Sequence, residues 1–415
     1  MSNPVLRGLA VTTTALALAV PAAAPTSAAA VRVIETVTPS GGVLGMTGSG
    51  WGHGRGMSQW GAYQAAAEGR THAEILAFYY PGTALQVRTE ARVRVLLTGY
   101  TGRNLIVRAN RGLTATTAGD ADTSLLVRPA RCRTKVTRWR ARAVGTQIKL
   151  SAYCRRWRTV ARISDPSVTF SRGSKLVRIK SGSLRRGYRG GVTATVTGPR
   201  SLSVVNTVPM EQYLRPVVAA EVSSSWPSEA LRAQAVAARS YAAHEALGRG
   251  GSFDVYDSTR SQAYPGAVEY AKRWKVVRYR EHERTDAAIA DTAGVHVTWQ
   301  GAPALTQFSS SNGGATAASP LPYMVAAADG WDARASRNPR LTWTDSVSLA
   351  SLDRRYPAAG GIRRVEVLGR EGFGPFGGRI TALRLVGAAR SFELSTDGAI
   401  RAALGVNSSM FTFTG

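Results

Sequence analysis

Glu221 is a lone carboxylate between an apolar run, Val217-Val218, and an Ala-rich stretch of helical composition from Leu231 to Leu247. The run before it reads as strand-like. Pro227 fits the first turn of the helix after it, with Ser225 or Trp226 as cap. The acid is therefore expected on the connecting loop, among the apolar neighbours Ala219, Ala220, Val222 and Trp226. A carboxyl in such surroundings has its pKa raised, as general acid chemistry on a glycosidic oxygen requires. A negative charge also sits well as a cap of the following helix, and spacing alone leaves both roles open.

The elements that must position this acid are read from the rest of the 415-residue chain. Residues 1–30 carry one charge, Arg7, a moderately apolar stretch and a small-residue end at Ser27-Ala28-Ala29-Ala30, the pattern of a cleaved export signal. Residues 31–84 hold a Gly-rich loop, Gly50 to Gly56, and two short helices. The first runs from Met57 to Glu68; the second opens on a Thr71/Glu74 capping box and stops at Pro81-Gly82. Residues 85–207 are β in texture, with short runs such as Asn104–Ala109, Ser124–Pro129, Thr146–Tyr153 and Ser201–Val208. An Arg-rich insertion (about 100–189) lies within this region, its Cys132–Cys154 stretch read as an inserted or protruding hairpin, and residues 208–415 form the core. Lys272–Arg284 reads as a charged, solvated helix face. The fold class is α+β: an antiparallel β-rich region joined to a core built on an Ala-rich helix.

Net charge is +27, densest between Val127 and Arg189. For an exported protein this points to anionic wall polymers rather than nucleic acid. Cys132 and Cys154 read as one disulfide. Five scattered His and no C-x-x-C or H-x-x-x-H spacing argue against a metal site, and no cofactor is expected. The Gly-x-Gly-x-Gly-x-Gly string lacks the preceding strand and the following acid of a dinucleotide site.

The stretch Glu211-Gln212-Tyr213-Leu214, Val217-Val218, Glu221, Ser225-Trp226-Pro227 and Glu229 to Tyr241 closely resembles the SpoIID/LytB family of sporulation proteins and amidase enhancers. Gln262-Ala263-Tyr264-Pro265-Gly266, Ser310-Ser311-Asn312-Gly313-Gly314-Ala315-Thr316 and Gly52-His53-Gly54-Arg55-Gly56-Met57-Ser58-Gln59 are similar to three further segments of that family. The last of these comes after the core in the family and before it here, which implies a circular permutation placing residues 46–56 beside 409–415 and near Glu221. The sequence also departs from the family at Arg215-Pro216 and at Val222-Ser223.

The resemblance implies a lytic transglycosylase acting on peptidoglycan glycan strands, outside the cell at the wall, with Glu221 as its catalytic acid/base. Hydroxyls and amides of Ser310, Ser311, Asn312, Gln262 and Gln59 suit N-acetyl sugars, and Trp51, Trp60 and Tyr264 offer stacking faces. His53 is either a substrate contact or the pin of its Gly-rich turn. Arg239, about five helical turns beyond Glu221, is either a binding residue or a structural ion pair. The alternative activity is that of a non-catalytic wall-binding enhancer of a cell-wall amidase.

Overall fold

The computed structural model describes residues 32–89 and 92–414, so the expected export signal at 1–30 lies outside the described residues. The chain is α+β with mostly antiparallel strands. Four helices matter for the site: α1 (Gln59–Ala67), α2 (His72–Tyr79), α3 (Met210–Glu221) and α4 (Ser228–Gly248).

Two large sheets share the main core. One has eight strands in the order Arg156–Ile163, Gln147–Cys154, Arg138–Val144, Asn104–Arg108, Val177–Ser181, Leu184–Tyr188, Val268–Tyr270 and Val276–Tyr279. The other has six: Val255–Tyr256, Arg92–Leu96, Ser201–Pro209, Gly191–Gly198, Ser167–Ser171 and Thr114–Thr116. Alternation explains how each strand serves the core. In Arg138–Val144 the residues Trp139, Ala141 and Ala143 are buried while Arg138, Arg140 and Arg142 point to the other face. Val93 and Val95, Val192 and Ala194, and the α3 residues Tyr213, Leu214 and Val217 complete this core.

Two readings change here and a third narrows. Ser124–Pro129 is not a strand, whereas the Arg-rich runs 138–144 and 156–163 are. The Cys132–Cys154 region does form a hairpin, Arg138–Val144 with Gln147–Cys154, and of the two expected arrangements it is the inserted one, an integral part of the eight-stranded sheet. Lys272–Arg284 is a single 3-10 turn and the strand Val276–Tyr279 before a helix begins at Glu283, because Val276 and Val277 favour extended backbone.

A second core lies under a four-stranded sheet, Glu35–Val37, Ile362–Arg370, Ile380–Gly387 and Ser391–Leu394, and includes Leu44, Met46, Phe411 and Phe413. These last four belong to a three-stranded sheet in which Val43–Gly48 lies between Trp343–Ser348 and Phe411–Thr414. Met46 pairs with Phe413, so strands from opposite ends of the sequence are hydrogen-bonded neighbours. The sulfurs of Cys132 and Cys154 are bonded. No helix among the described residues is long and apolar enough to cross a membrane.

Candidate active site

Glu221 is the last residue of α3, not part of a loop after a strand. Residues Met210, Tyr213, Leu214, Val217 and Val218 are buried at the spacing of one helical face, and that packing outweighs the β-branched valines and Pro216. Pro216 removes the N–H that would bond the Gln212 carbonyl. After Glu221 the chain turns extended at Val222 and crosses Ser223–Trp226 before α4 begins at Ser228. Pro227 occupies the cap position and supplies no side-chain hydrogen bond.

The carboxylate does not cap α4. Its Oε1 accepts from the Ala263 backbone N–H at 3.1 Å and its Oε2 from the Gln59 amide at 3.5 Å. Burial raises its pKa, while these two donors pull the other way. The carbonyl end of α3 works in the same direction as burial, because a helix C-terminus disfavours negative charge.

Each donor is held from behind. Tyr213, one α3 face above Glu221, donates to Gln262 Oε1 at 2.9 Å, and Gln262 Nε2 donates to the Ala238 carbonyl of α4 at 3.3 Å. This clamps the 261–266 loop so that the Ala263 N–H meets the acid. Gln59 also donates to Gln234 Oε1 of α4 at 3.4 Å. It is the first residue of α1, capped by Ser58, whose Oγ accepts from the Gly61 N–H at 3.0 Å and donates to Asp332 at 2.6 Å.

Two buried carboxylates, Asp329 and Asp332, fasten this region together. Asp332 accepts from Ser58, Ser311 and the Gly314 N–H; Asp329 accepts from Tyr79, Asn312 and the N–H groups of Trp331 and Asp332. Burial raises both pKa values against these donors. The sequence reading missed them. An Asp-x-x-Asp turn in so acid-poor a chain was the available signal.

Aromatic rings border the acid. Trp60 follows Gln59, Trp226 follows Glu221 in the connecting loop, and their rings meet at 4.8 Å with Tyr63 against both at 5.3 Å. The Ser310 carbonyl accepts from the Trp60 N–H at 3.0 Å, and Ser311 bonds the backbone of Trp51 at 2.8 Å. A partly exposed Ser310 therefore sits between Trp60 and the exposed ring of Trp51, over which Arg340 stacks at 3.9 Å.

Several expected contacts point inward instead. Tyr264 is buried, stacks on Tyr213 at 5.0 Å and donates to Asn206 at 2.7 Å, so it offers no open face. Gln262, Ser311 and Asn312 are buried with internal partners. Arg239 is buried in a two-point pair with Glu211 at 2.9 and 2.8 Å and also donates to the Val295 and Ile289 carbonyls, which makes it a structural brace between α3 and α4. Polar types in loops read alike whether they face solvent or fasten the loop.

His53 pins its turn, accepting at Nδ1 from the Arg55 N–H at 3.0 Å. It lines a polar cavity of about 220 Å³ with Arg55, Glu371, Arg379, Asp397 and Ser409. Burial, then the neighbouring Arg55, lowers its pKa to about 4. The glycines around it are sterically required: Gly54 is at φ +71°, and a Cβ there would stand 2.1 Å from the Arg379 guanidinium. No hydrogen bond among the described residues joins His53 to Glu221. Nor do three His, Cys, Asp or Glu side chains converge among the described residues as metal ligands do.

Comparison with known proteins centres on this region. Residues 199–299 match the family model SpoIID, described as stage II sporulation protein. The chain is 32% identical over 146 residues to an amidase enhancer of Bacillus subtilis (strain 168), covering 34% of this chain and 17% of that protein. It is 26% identical over 162 residues to stage II sporulation protein D of the same organism, and 28% identical over 163 residues to stage II sporulation protein D of Bacillus amyloliquefaciens. In both cases the match covers 36% of this chain and 46% of the relative. The chain thus spans less than half the length of these relatives.

Proposed function

Taking as premise that this chain belongs, through residues 199–299, to the SpoIID/LytB family, we propose that it is an exported lytic transglycosylase of peptidoglycan glycan strands with Glu221 as its general acid/base. The observation that carries this reading is the setting of Glu221: a partly buried carboxyl, raised in pKa, held by the Ala263 N–H and the Gln59 amide, beside Trp60 and Trp226. Protonated Glu221 gives its proton to the oxygen linking N-acetylmuramic acid to N-acetylglucosamine as the C1–O bond breaks. The C6 hydroxyl of the same muramic residue closes on C1, and its proton passes to the Glu221 carboxylate. No water is consumed and the acid is regenerated. Because the nucleophile is intramolecular, a single carboxyl suffices.

Ala263 and Gln59 stabilise the carboxylate formed between the two proton transfers. Trp51, Ser310 and Trp60 supply ring faces and a hydroxyl for the neighbouring sugars. We read the order of segments as a circular permutation, supported by the Met46–Phe413 pairing and by Gln59 reaching Glu221 from the N-terminal segment. Glu221→Gln keeps an acceptor for Ala263 but cannot deliver a proton. Release of muropeptides with 1,6-anhydro ends is expected to fall by at least about 100-fold. Undiminished release would overturn the enzyme reading.

A second reading, wall binding that enhances a separate amidase, is favoured by the likeness to an amidase enhancer and by the basic sheet. Under it neither wild type nor Glu221→Gln releases anhydro ends, and both stimulate the amidase equally.

A further inference from the structure

Away from Glu221, the outer face of the eight-stranded sheet is rich in cations and aromatic rings. Arg138, Arg140 and Arg142 alternate outward along one strand, about 6.7 Å apart. The register sets Arg138 directly opposite Arg108, Arg142 opposite Lys149 and, two strands away, Lys180 opposite Arg185. Like charges in directly opposed positions repel and destabilise a sheet. Yet Arg138, Arg140, Arg142, Lys149, Arg178 and Lys180 form no ion pair among the described residues, and between Val127 and Arg189 the only carboxylate is Asp165.

Rings take the place of counter-charges. Arg138 lies 3.9 Å from the Tyr153 ring centre, Arg140 lies 4.3 Å from that of Trp157, and Arg178 lies 4.9 Å from that of Tyr270. Stacking orients these guanidinium planes. The Nε atoms of Arg140, Arg142 and Arg178 are buried without a hydrogen-bond partner. Burial and then the adjacent Arg142 lower the pKa of Arg140, and burial, Arg185 and Arg138 lower that of Lys180. Beyond the edge strand Arg156–Ile163, a cavity of about 1010 Å³ adds Arg131, Arg133, Arg155, Arg156 and Arg158 beside the disulfide.

We propose that this face is a docking surface for a linear phosphodiester polymer of the wall, separate from the glycan site at Glu221. Charge complementarity commits it to such an occupant. Cations about 5–7 Å apart along and across strands match a chain bearing one phosphate per short repeat, and guanidinium forks bind phosphate oxygens at two points. Bound phosphates would relieve the three opposed like-charge pairs. The reading does not depend on the chemistry of Glu221, and Glu221→Gln should bind the polymer as wild type does.

The test is a binding titration of the full chain with poly(glycerol phosphate) at several salt concentrations. Double-stranded DNA, phosphatidylglycerol vesicles and uncharged glucan are compared at matched phosphate or mass. Wild type is expected to bind poly(glycerol phosphate) most tightly, with affinity falling steeply as salt rises. Replacing Arg138, Arg140 and Arg142 by Gln should weaken binding at least about tenfold and flatten the log–log salt slope by about 2. Arg178→Gln with Lys180→Gln, on another strand, is the second variant and should weaken binding several-fold should the triple variant misfold. Unchanged affinity in natively folded variants, or tighter binding of DNA or of the vesicles, overturns the proposal.

Discussion

At the C-terminal residue of α3, a carboxyl meets three influences at once: burial, a helix end that repels negative charge, and two donors that favour it. Burial wins, so the folded protein holds the Glu221 proton more tightly than the unfolded chain does. The resulting stability is fully present below the ordinary value of 4.5 and is lost as pH rises through the folded pKa. Glu221→Gln removes this dependence. The variant is expected to melt higher than wild type at pH 7, with the gap closing below pH 4.5; thermal melts across that range that run parallel would refute it. Glu221 and Gln59 were both picked out in the sequence, and the structure brings them into contact. The Ala263 N–H was not, because a backbone donor leaves no mark on residue type. Tyr264, Gln262, Ser311 and Asn312 were legible as polar loop residues, but sequence could not say that they face inward.

Helix α1 is the element on which the site turns, since its first residue touches Glu221 and its cap, Ser58, is tied to buried Asp332. Ser58→Ala removes the cap and leaves Asp332 short of a donor. The expected cost is about 2–3 kcal/mol by denaturant unfolding, with a further loss of muropeptide release as Gln59 shifts. Stability within about 0.5 kcal/mol of wild type would show that the cap carries little. The Thr71/Glu74 box of α2 was read locally and the structure has it, whereas the Ser58 cap went unread because the first helix was expected to begin at Met57. The strand-like reading of Val217-Val218 failed because local propensity pointed one way and the packing of Met210, Tyr213, Leu214 and the two valines pointed the other. The Arg-rich strands escaped for other reasons: charge concealed the regular alternation of Arg138–Val144, and Arg156–Ile163 has a register shift and no regular alternation to read.

Across the whole molecule the α+β class was legible, as was the disulfide, whereas the way the sheets share strands from distant segments was not. Val268–Tyr270 and Val276–Tyr279 extend a sheet whose other strands all come from residues 104–188. Cys132 and Cys154, 22 residues apart, close a loop within that sheet. Their reduction is expected to lower stability by about 3 kcal/mol, read from unfolding curves with and without reductant, and to spare anhydro-muropeptide release under native conditions. Loss of release in folded, reduced protein would link the sheet to the chemistry.

The pairing of Val43–Gly48 with Phe411–Thr414 and Trp343–Ser348 has a consequence for biosynthesis. Gly50 accepts from the Trp343 indole and Ser49 bonds Leu341 across 292 positions, so the strand leading toward Gln59 waits for partners synthesised far later. Contacts so distant along the chain form slowly and late in folding. A ribosome-bound or half-translocated chain would carry Glu221 without its N-terminal donor. If the chain acts as proposed, on glycan outside the cell, an activity assembled this way would stay dormant until nearly all of the polypeptide had crossed to the side where that substrate lies.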